Sequence, residues 1–238
     1  MRGFKKNSMK GIDFINTLEE QGMLVFTFND AVKILKKRNY ARVYLQMLVK
    51  NKLINMLERG KYSLKDVSVE YAACGMVTPS YISMLYALNH HKLITQMPST
   101  IDVISPRRHK KLNLYGFTLL FRYIKPSRFF GFKKSDTNVF FADAEKAILD
   151  LLYFNYPNLY LINETFANAY NSKLIDIKKL KEYAKRMRSK TLINKIGFIM
   201  EKNEINADDL LKFKLNKYIT LQNGRNKDKK WGVIYAKI

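Results

Sequence analysis

Between residues 12 and 64 the spacing of apolar side chains changes character, and that change limits the folds open to this part of the chain. Ile12, Ile15 and Leu18 recur at helical intervals, and Gly22 follows as a terminating glycine. Thr27 and Asn29 are candidate caps for a second helix, in which Ala31, Val32, Ile34 and Leu35 oppose Lys33, Lys36 and Lys37. Asn39 is placed to cap a third helix. Its Ala41, Leu45, Leu48 and Val49 share one face, while Arg42, Gln46 and Lys50 fall at i, i+4 and i+8 on another. Two β-prone runs, 53–57 and 61–64, then flank Glu58-Arg59-Gly60, where glycine can take the positive φ of a tight hairpin. Three short helices and a ribbon within about sixty residues is the order of a winged helix-turn-helix.

Charge says what such a module would meet. The 238 residues include 43 Lys+Arg against 20 Asp+Glu, a formal net charge of +23. That excess costs self-repulsion and most often persists where a polyanion is bound, nucleic acid first. The plainer explanation is a biased composition with solvated lysines. A membrane surface fits less well, because the basic residues are spread along the chain and form no compact polybasic helix. Hydrophobic residues make up 47%, enough for a packed core. One cysteine, Cys74, precludes an internal disulfide and points to a reducing cytoplasm. The basic start Met1–Lys6 is not followed by an apolar signal segment, and no run of about eighteen apolar residues predicts a membrane span.

Residues 65–77 read as a connector. Thr78 and Pro79 are expected to open a helix with a stripe through Tyr81, Met84, Leu85 and Leu88. Strands are expected over 101–104, 117–124 and 139–141, then a helix through Ala144, Ala147, Ile148, Leu151 and Leu152, ended by Pro157. From 163 to 212 the pattern is helical with Asp176 and Ser189 as caps, and strands over 218–221 and 231–236 close the chain. The expected class is α+β: an N-terminal winged helix-turn-helix over 1–75 and a larger mixed α/β C-terminal domain over 76–238.

In double-stranded DNA, Arg can bridge O6 and N7 of guanine and Gln can bridge N6 and N7 of adenine, so Arg42 and Gln46 are candidate base readers. Asn39, Tyr40 and Val43 lie beside them. Arg59 and Lys61 at the wing, with Lys5, Lys6, Lys33 and Lys50, are candidate phosphate contacts. A second basic region has no acidic residue between Asp102 and Asp136. It gathers Arg107, Arg108, Lys110, Lys111, Arg122, Lys125, Arg128, Lys133 and Lys134. The interleaved Tyr115, Phe129, Phe130 and Phe132 are either platforms for unpaired bases or core residues with solvated basic neighbours.

Catalytic candidates are sparse. Asp143-Ala144-Glu145-Lys146 has the spacing of a metal-dependent nuclease core, and such an enzyme, or another nucleic-acid-modifying one, centred on Asp143 and Glu145 is the alternative function. That chemistry needs its carboxylates on a strand around Mg²⁺, whereas here they open an amphipathic helix, where acidic residues favour the dipole. Cys74, His90, His91 and His109 lack zinc-ligand spacing, and no phosphate-loop, dinucleotide or hydrolase-elbow motif occurs. The expectation is a non-enzymatic protein with no metal and no cofactor.

Three stretches carry a resemblance. They are Leu45–Leu53 running into Glu58-Arg59-Gly60-Lys61-Tyr62, Pro79–His91, and Asp143–Leu152. In that order they resemble the AbiEi-like antitoxins and transcriptional regulators of type IV toxin–antitoxin systems, over about residues 11 to 155. A departure is Ala144, where a proline is expected before the Glu. The resemblance implies a winged helix that binds inverted repeats in its own promoter and represses the operon, with room for two copies on one operator. It also implies a C-terminal domain that counters a nucleotidyltransferase-like toxin without a stable complex, and it makes the acidic helix start a structural feature.

Overall fold

The computed structural model describes residues 10–236, and the chain divides into two compact units, Met1–Thr78 and Pro79–Ile238. Helices and mixed sheets together make it an α+β protein. Among the described residues no helix is long and apolar enough to cross a membrane.

The first unit runs α1 (Gly11–Glu20), β1 (Val25–Thr27), α2 (Phe28–Leu35), α3 (Arg38–Lys50), β2 (Ile54–Glu58), β3 (Lys61–Leu64) and α4 (Val69–Met76). Gly22, at φ +65°, turns the chain out of α1. Thr27 starts α2 with a reciprocal capping box: its hydroxyl accepts from the Asp30 amide (3.2 Å), and the Thr27 amide donates to the Asp30 carboxylate (3.0 Å). The cap is therefore Thr27 alone, and Asn29, the other candidate, lies inside the helix. Asn39 is likewise inside α3, whose N-cap position is Lys37 with no side-chain bond to the backbone.

β1, β3 and β2 form an antiparallel sheet in that order, with Gly60 (φ +85°) at the hairpin and an irregularity between Met56 and Glu58. Three-residue β1 was not anticipated, and residues 65–77 are no mere connector. Ser68 caps α4 by accepting from the Tyr71 amide, and Gly75 lets that helix approach β1 so closely that a Cβ there would meet Val25. The core joins Phe14 and Leu18 of α1, Phe26 of β1 and Ala31 of α2 to Tyr44, Leu45 and Leu48 of α3, closed by Ile54 and Leu64 of the hairpin. Phe14 meets Phe26 and Tyr44 edge to face at 5.9 and 5.6 Å. Ile12, expected on the α1 stripe, points outward and Phe14 takes its place.

The second unit is built on a six-stranded mixed sheet. Its strands are β4 (Tyr81–Ser83), β5 (Thr100–Ser105), β6 (Leu112–Leu114), β7 (Phe117–Tyr123), β8 (Phe132–Lys134) and β9 (Phe140–Ala142), in the order β6-β7-β5-β4-β9-β8. The helix expected from Pro79 is thus displaced. Tyr81–Ser83 form a central strand paired with both β5 and β9, and α5 (Met84–His90) begins only after it. The cause is burial on both faces: all three β4 residues are buried.

Helices α6 (Ala144–Tyr153), α7 (Leu159–Asn171), α8 (Ile177–Arg186) and α9 (Lys190–Lys202) follow. Asp176 and Ser189 cap α8 and α9 as their positions predict. The helical run ends as a 3-10 segment over Asp208–Phe213, and β10 (Ile219–Thr220), β11 (Asn226–Asp228) and β12 (Val233–Tyr235) form a small sheet in the order β10-β12-β11. Every residue of α6 from Ala144 to Leu152 is buried, because β4, β9, α5, α7, α8 and α9 surround it.

Candidate nucleic-acid interface and the buried polar centre

α3 has two sharply different sides. Ala41, Tyr44, Leu45 and Leu48 are buried, whereas Asn39, Arg42, Val43, Gln46, Met47 and Lys50 are exposed. At about 100° per residue these six span an arc of about 140°, in the order Arg42, Gln46, Asn39, Lys50, Val43, Met47, and the exposed Arg38 lies beyond Arg42. The helix carries no carboxylate. Lys50 in the last turn complements the helix dipole, while Lys36, Lys37 and Arg38 crowd the opposite end, where only an anion would be favoured. Arg38 is steadied there by Asn29 (3.4 Å) and by the Phe28 ring beneath its guanidinium (5.0 Å).

Other candidates of this unit divide. Arg59 is exposed at the hairpin tip. Lys33 is exposed and bonds Asp30 at 3.1 Å. Lys61 folds back to donate to the Met76 carbonyl and lies 3.8 Å from Glu58, so its ammonium is engaged within the protein. Tyr40 turns inward, stacking on Tyr44 at 5.3 Å with its hydroxyl buried, so its ring supports α3 from below. Lys5 and Lys6 lie outside the described residues.

In the second unit the basic residues of 107–134 have varied surroundings. Strand register sets Ser105, Tyr123, Tyr81, Phe140 and Lys134 at one end of the sheet. Arg107, Arg108 and Lys125 emerge beyond that end and are exposed, as are Lys110 and Lys111 on the way into β6 and Lys133 on β8. Arg108 lies over the Tyr123 ring at 4.8 Å. Two of the nine serve the fold instead. The Arg122 Nε donates to Asp102 at 2.6 Å, and Arg128 donates to the carbonyls of Met187 and Arg188 and to the Tyr153 hydroxyl. The aromatic residues also divide. Tyr115 is exposed, while Phe129 and Phe132 pack on Tyr81 and Phe130 is buried beneath Arg186 and beside Tyr183.

Asp143 and Glu145 line a pocket of about 270 Å³ with His90, His91 and Lys179, but their carboxylates are already engaged there. The Lys179 ammonium sits 3.1 Å from Asp143 and 2.9 Å from Glu145, Tyr183 donates its hydroxyl to Asp143 (2.8 Å), and the Asp176 amide donates to Glu145 (2.9 Å). Burial works against the Lys179 charge, but the two carboxylates outweigh it and raise its pKa. These groups pin α6 to α8. Nearby, His90 stacks flat on Phe141 at 4.0 Å and a His91 ring nitrogen lies 2.7 Å from the Ala142 carbonyl oxygen. Among the described residues no three His, Cys, Asp or Glu side chains come together as a metal ion would need.

Deeper in the unit is a polar cluster that the sequence did not disclose. Lys146 and Asp150 pair one turn apart on α6, Lys146 donates to the Tyr81 hydroxyl (2.8 Å), and Ser83 (2.8 Å) and Tyr81 (3.1 Å) donate to Asp150. Burial lowers the Lys146 pKa against the pull of Asp150, and burial with the neighbouring carboxylate pushes the Tyr81 hydroxyl well up. On the same face of the sheet, where Asp102 is the register partner of Ser83, a cleft of about 760 Å³ runs between the segment 93–100 and α7, with Asp102 and Arg122 among the residues that line it. Burial raises the Asp102 pKa despite the guanidinium beside it. Compared with known proteins, the chain matches no family model, and none of the curated proteins matches its sequence.

Proposed function

We infer that the chain is a DNA-binding transcriptional repressor whose first unit acts as a winged helix-turn-helix. The observation that carries this reading is the outward face of α3, where Arg42 and Gln46 stand one turn apart on a helix without carboxylates, in a chain of net charge +23. Arg and Gln supply bidentate pairings for guanine and adenine in the major groove, which is wide enough for a helix. The order α1, α2, α3 and hairpin supports the same reading, with α3 entering the groove and the hairpin beside the backbone. Cations at 36–38, Lys50 and Arg59 serve as phosphate contacts, which fix register without reading sequence.

From the motif resemblance we also propose that the protein is the antitoxin of a type IV toxin–antitoxin pair. It autoregulates its operon in the cytoplasm through operator inverted repeats and counters a nucleotidyltransferase-like toxin without a stable complex. Its second unit acts without catalysis or cofactor, and the exposed cations from Arg107 to Lys134 extend contact with nucleic acid. Asp143 and Glu145, tied to Lys179 and Tyr183, are structural in this reading.

Duplexes enriched from a random pool test the base-reading claim. Arg42→Ala is expected to cost about 1–3 kcal/mol on the enriched site and much less on random duplex. Equal losses on both would refute base reading by Arg42.

A further inference from the structure

Two apolar side chains stand where a helix that only neutralised phosphates would carry none. Val43 is 66% exposed and Met47 44% exposed, one turn apart on α3, with Lys50 between them and Gln46 in angular order. Single exposed apolar residues are ordinary. Here, however, the pair continues a face of guanidinium, amide and ammonium groups, and among the described residues both side chains stay exposed.

We propose that Val43 and Met47 recognise the C5-methyl groups of thymine, an inference that rests on α3 being the duplex reader proposed above and adds the chemical group it reads. In the major groove the thymine methyl is the one apolar feature that a base edge presents, and cytosine shows only hydrogen there. Arg42 and Gln46 can take the polar edges of guanine and adenine, and an apolar neighbour on the same face is then complementary to the methyl on an adjacent step. The two side chains suit different parts of that task. Val43 is β-branched and holds few rotamers, giving a fixed surface, whereas Met47 is unbranched and polarisable and adapts to a methyl whose position varies with the step. Charge favours duplex over a protein as the occupant. Lys50 adjoins Val43 on the helix face, Arg42 stands at the far edge of the same face and Lys36, Lys37 and Arg38 stand at the head of the helix, with no acidic residue on α3.

The test uses the full chain and duplexes enriched from a random pool at low salt. Each thymine of the enriched site is replaced in turn by deoxyuridine, which removes the methyl and keeps every hydrogen-bonding edge. At one or two positions the replacement is expected to weaken binding about fourfold, the worth of burying one methyl-sized group. In Val43→Ala and Met47→Ala the corresponding sensitivity disappears, so thymine and uracil duplexes bind alike, while Arg42→Ala binds more weakly and keeps the thymine preference. Both replaced side chains are exposed, and circular dichroism of each variant checks that the fold is retained. Equal affinity for thymine and deoxyuridine duplexes at every position overturns the inference and leaves duplex reading by α3 intact. Sensitivity that survives the Val43→Ala/Met47→Ala double variant also overturns it. Failure of the pool to yield any enriched duplex overturns both, and a self-association lost in the same double variant would assign the apolar pair to a second copy of the chain.

Discussion

Lys146 and Asp150 are paired one turn apart on α6, both wholly excluded from solvent, and each is also held by a residue of β4. A buried ion pair of this kind contributes little net stability, but an orphaned partner is expensive. Lys146→Met is therefore expected to destabilise the second unit by about 3–5 kcal/mol in denaturant unfolding, because it leaves the Asp150 carboxylate buried without its cation. The double variant Lys146→Met/Asp150→Asn recovers most of that loss, since Tyr81 and Ser83 can still donate to the amide oxygen. Additive losses would show that the pair is not coupled.

Thr27 and Asp30 close the N-terminus of α2. Burial opposes the Asp30 charge, but hydrogen bonds from the Thr27 side chain and amide and from Lys33 prevail and hold its pKa below the usual value. A carboxyl whose folded pKa is depressed contributes stability above the unfolded pKa, near 4, and loses it as pH falls through the folded value. Asp30→Asn is accordingly expected to flatten the pH dependence of unfolding below about pH 4. Thr27→Ala is expected to cost about 1 kcal/mol at neutral pH. Unfolding curves for Asp30→Asn that follow the wild type down to pH 2 would contradict this.

Gly197, in the middle of α9, lies against the indole of Trp231, and a Cβ there would overlap the ring. Trp231 is fully buried and cannot yield without opening the contact between α9 and the C-terminal strands. Gly197→Ala gains helix propensity but is expected to lower stability by about 1–3 kcal/mol or more through overpacking. A neutral or stabilising result by thermal unfolding would show that the indole has room to move.

Glu145 and Asp143 give a prediction that separates structure from catalysis. Glu145→Ala removes one of the two carboxylates around Lys179 and strips the Asp176 amide of its acceptor, at an expected cost of about 1–3 kcal/mol. Duplex affinity is expected to stay unchanged in Asp143→Ala/Glu145→Ala. A Mg²⁺-dependent cleavage of nucleic acid by the wild type that this variant abolishes would favour the nuclease reading.

Much of the fold was legible because its signals are local. The hairpin at Glu58–Lys61, the caps Asp176 and Ser189, and strands β5 and β7 each follow from residues within one turn or one alternation. β4 was not, since Tyr81-Ile82-Ser83 precedes a helical stripe and only pairing with β5 and β9, distant in sequence, makes it a strand. The cluster around Asp150 was missed for the same reason: two of its four members sit on that strand. The local signal pointed the other way, because Glu145, Lys146 and Asp150 mark α6 as amphipathic, and only the elements packed around it bury Lys146 and Asp150. At the candidate interface the exposed stripe Arg42, Gln46 and Lys50 was readable from its period. The inward turn of Tyr40, the recruitment of Lys61 to the Met76 carbonyl and the exposure of Met47 depend on what packs beside each residue.

Fluorescence anisotropy of a labelled random-sequence duplex with the full chain, titrated across salt from about 50 to 200 mM, tests the duplex-binding claim most directly. Phosphate contacts release counterions, so log affinity is expected to fall steeply and linearly with log salt, and Lys50→Ala is expected to reduce the slope by about one. Absence of binding at the low-salt end, or binding indifferent to salt, would contradict a cationic module that docks α3 on DNA.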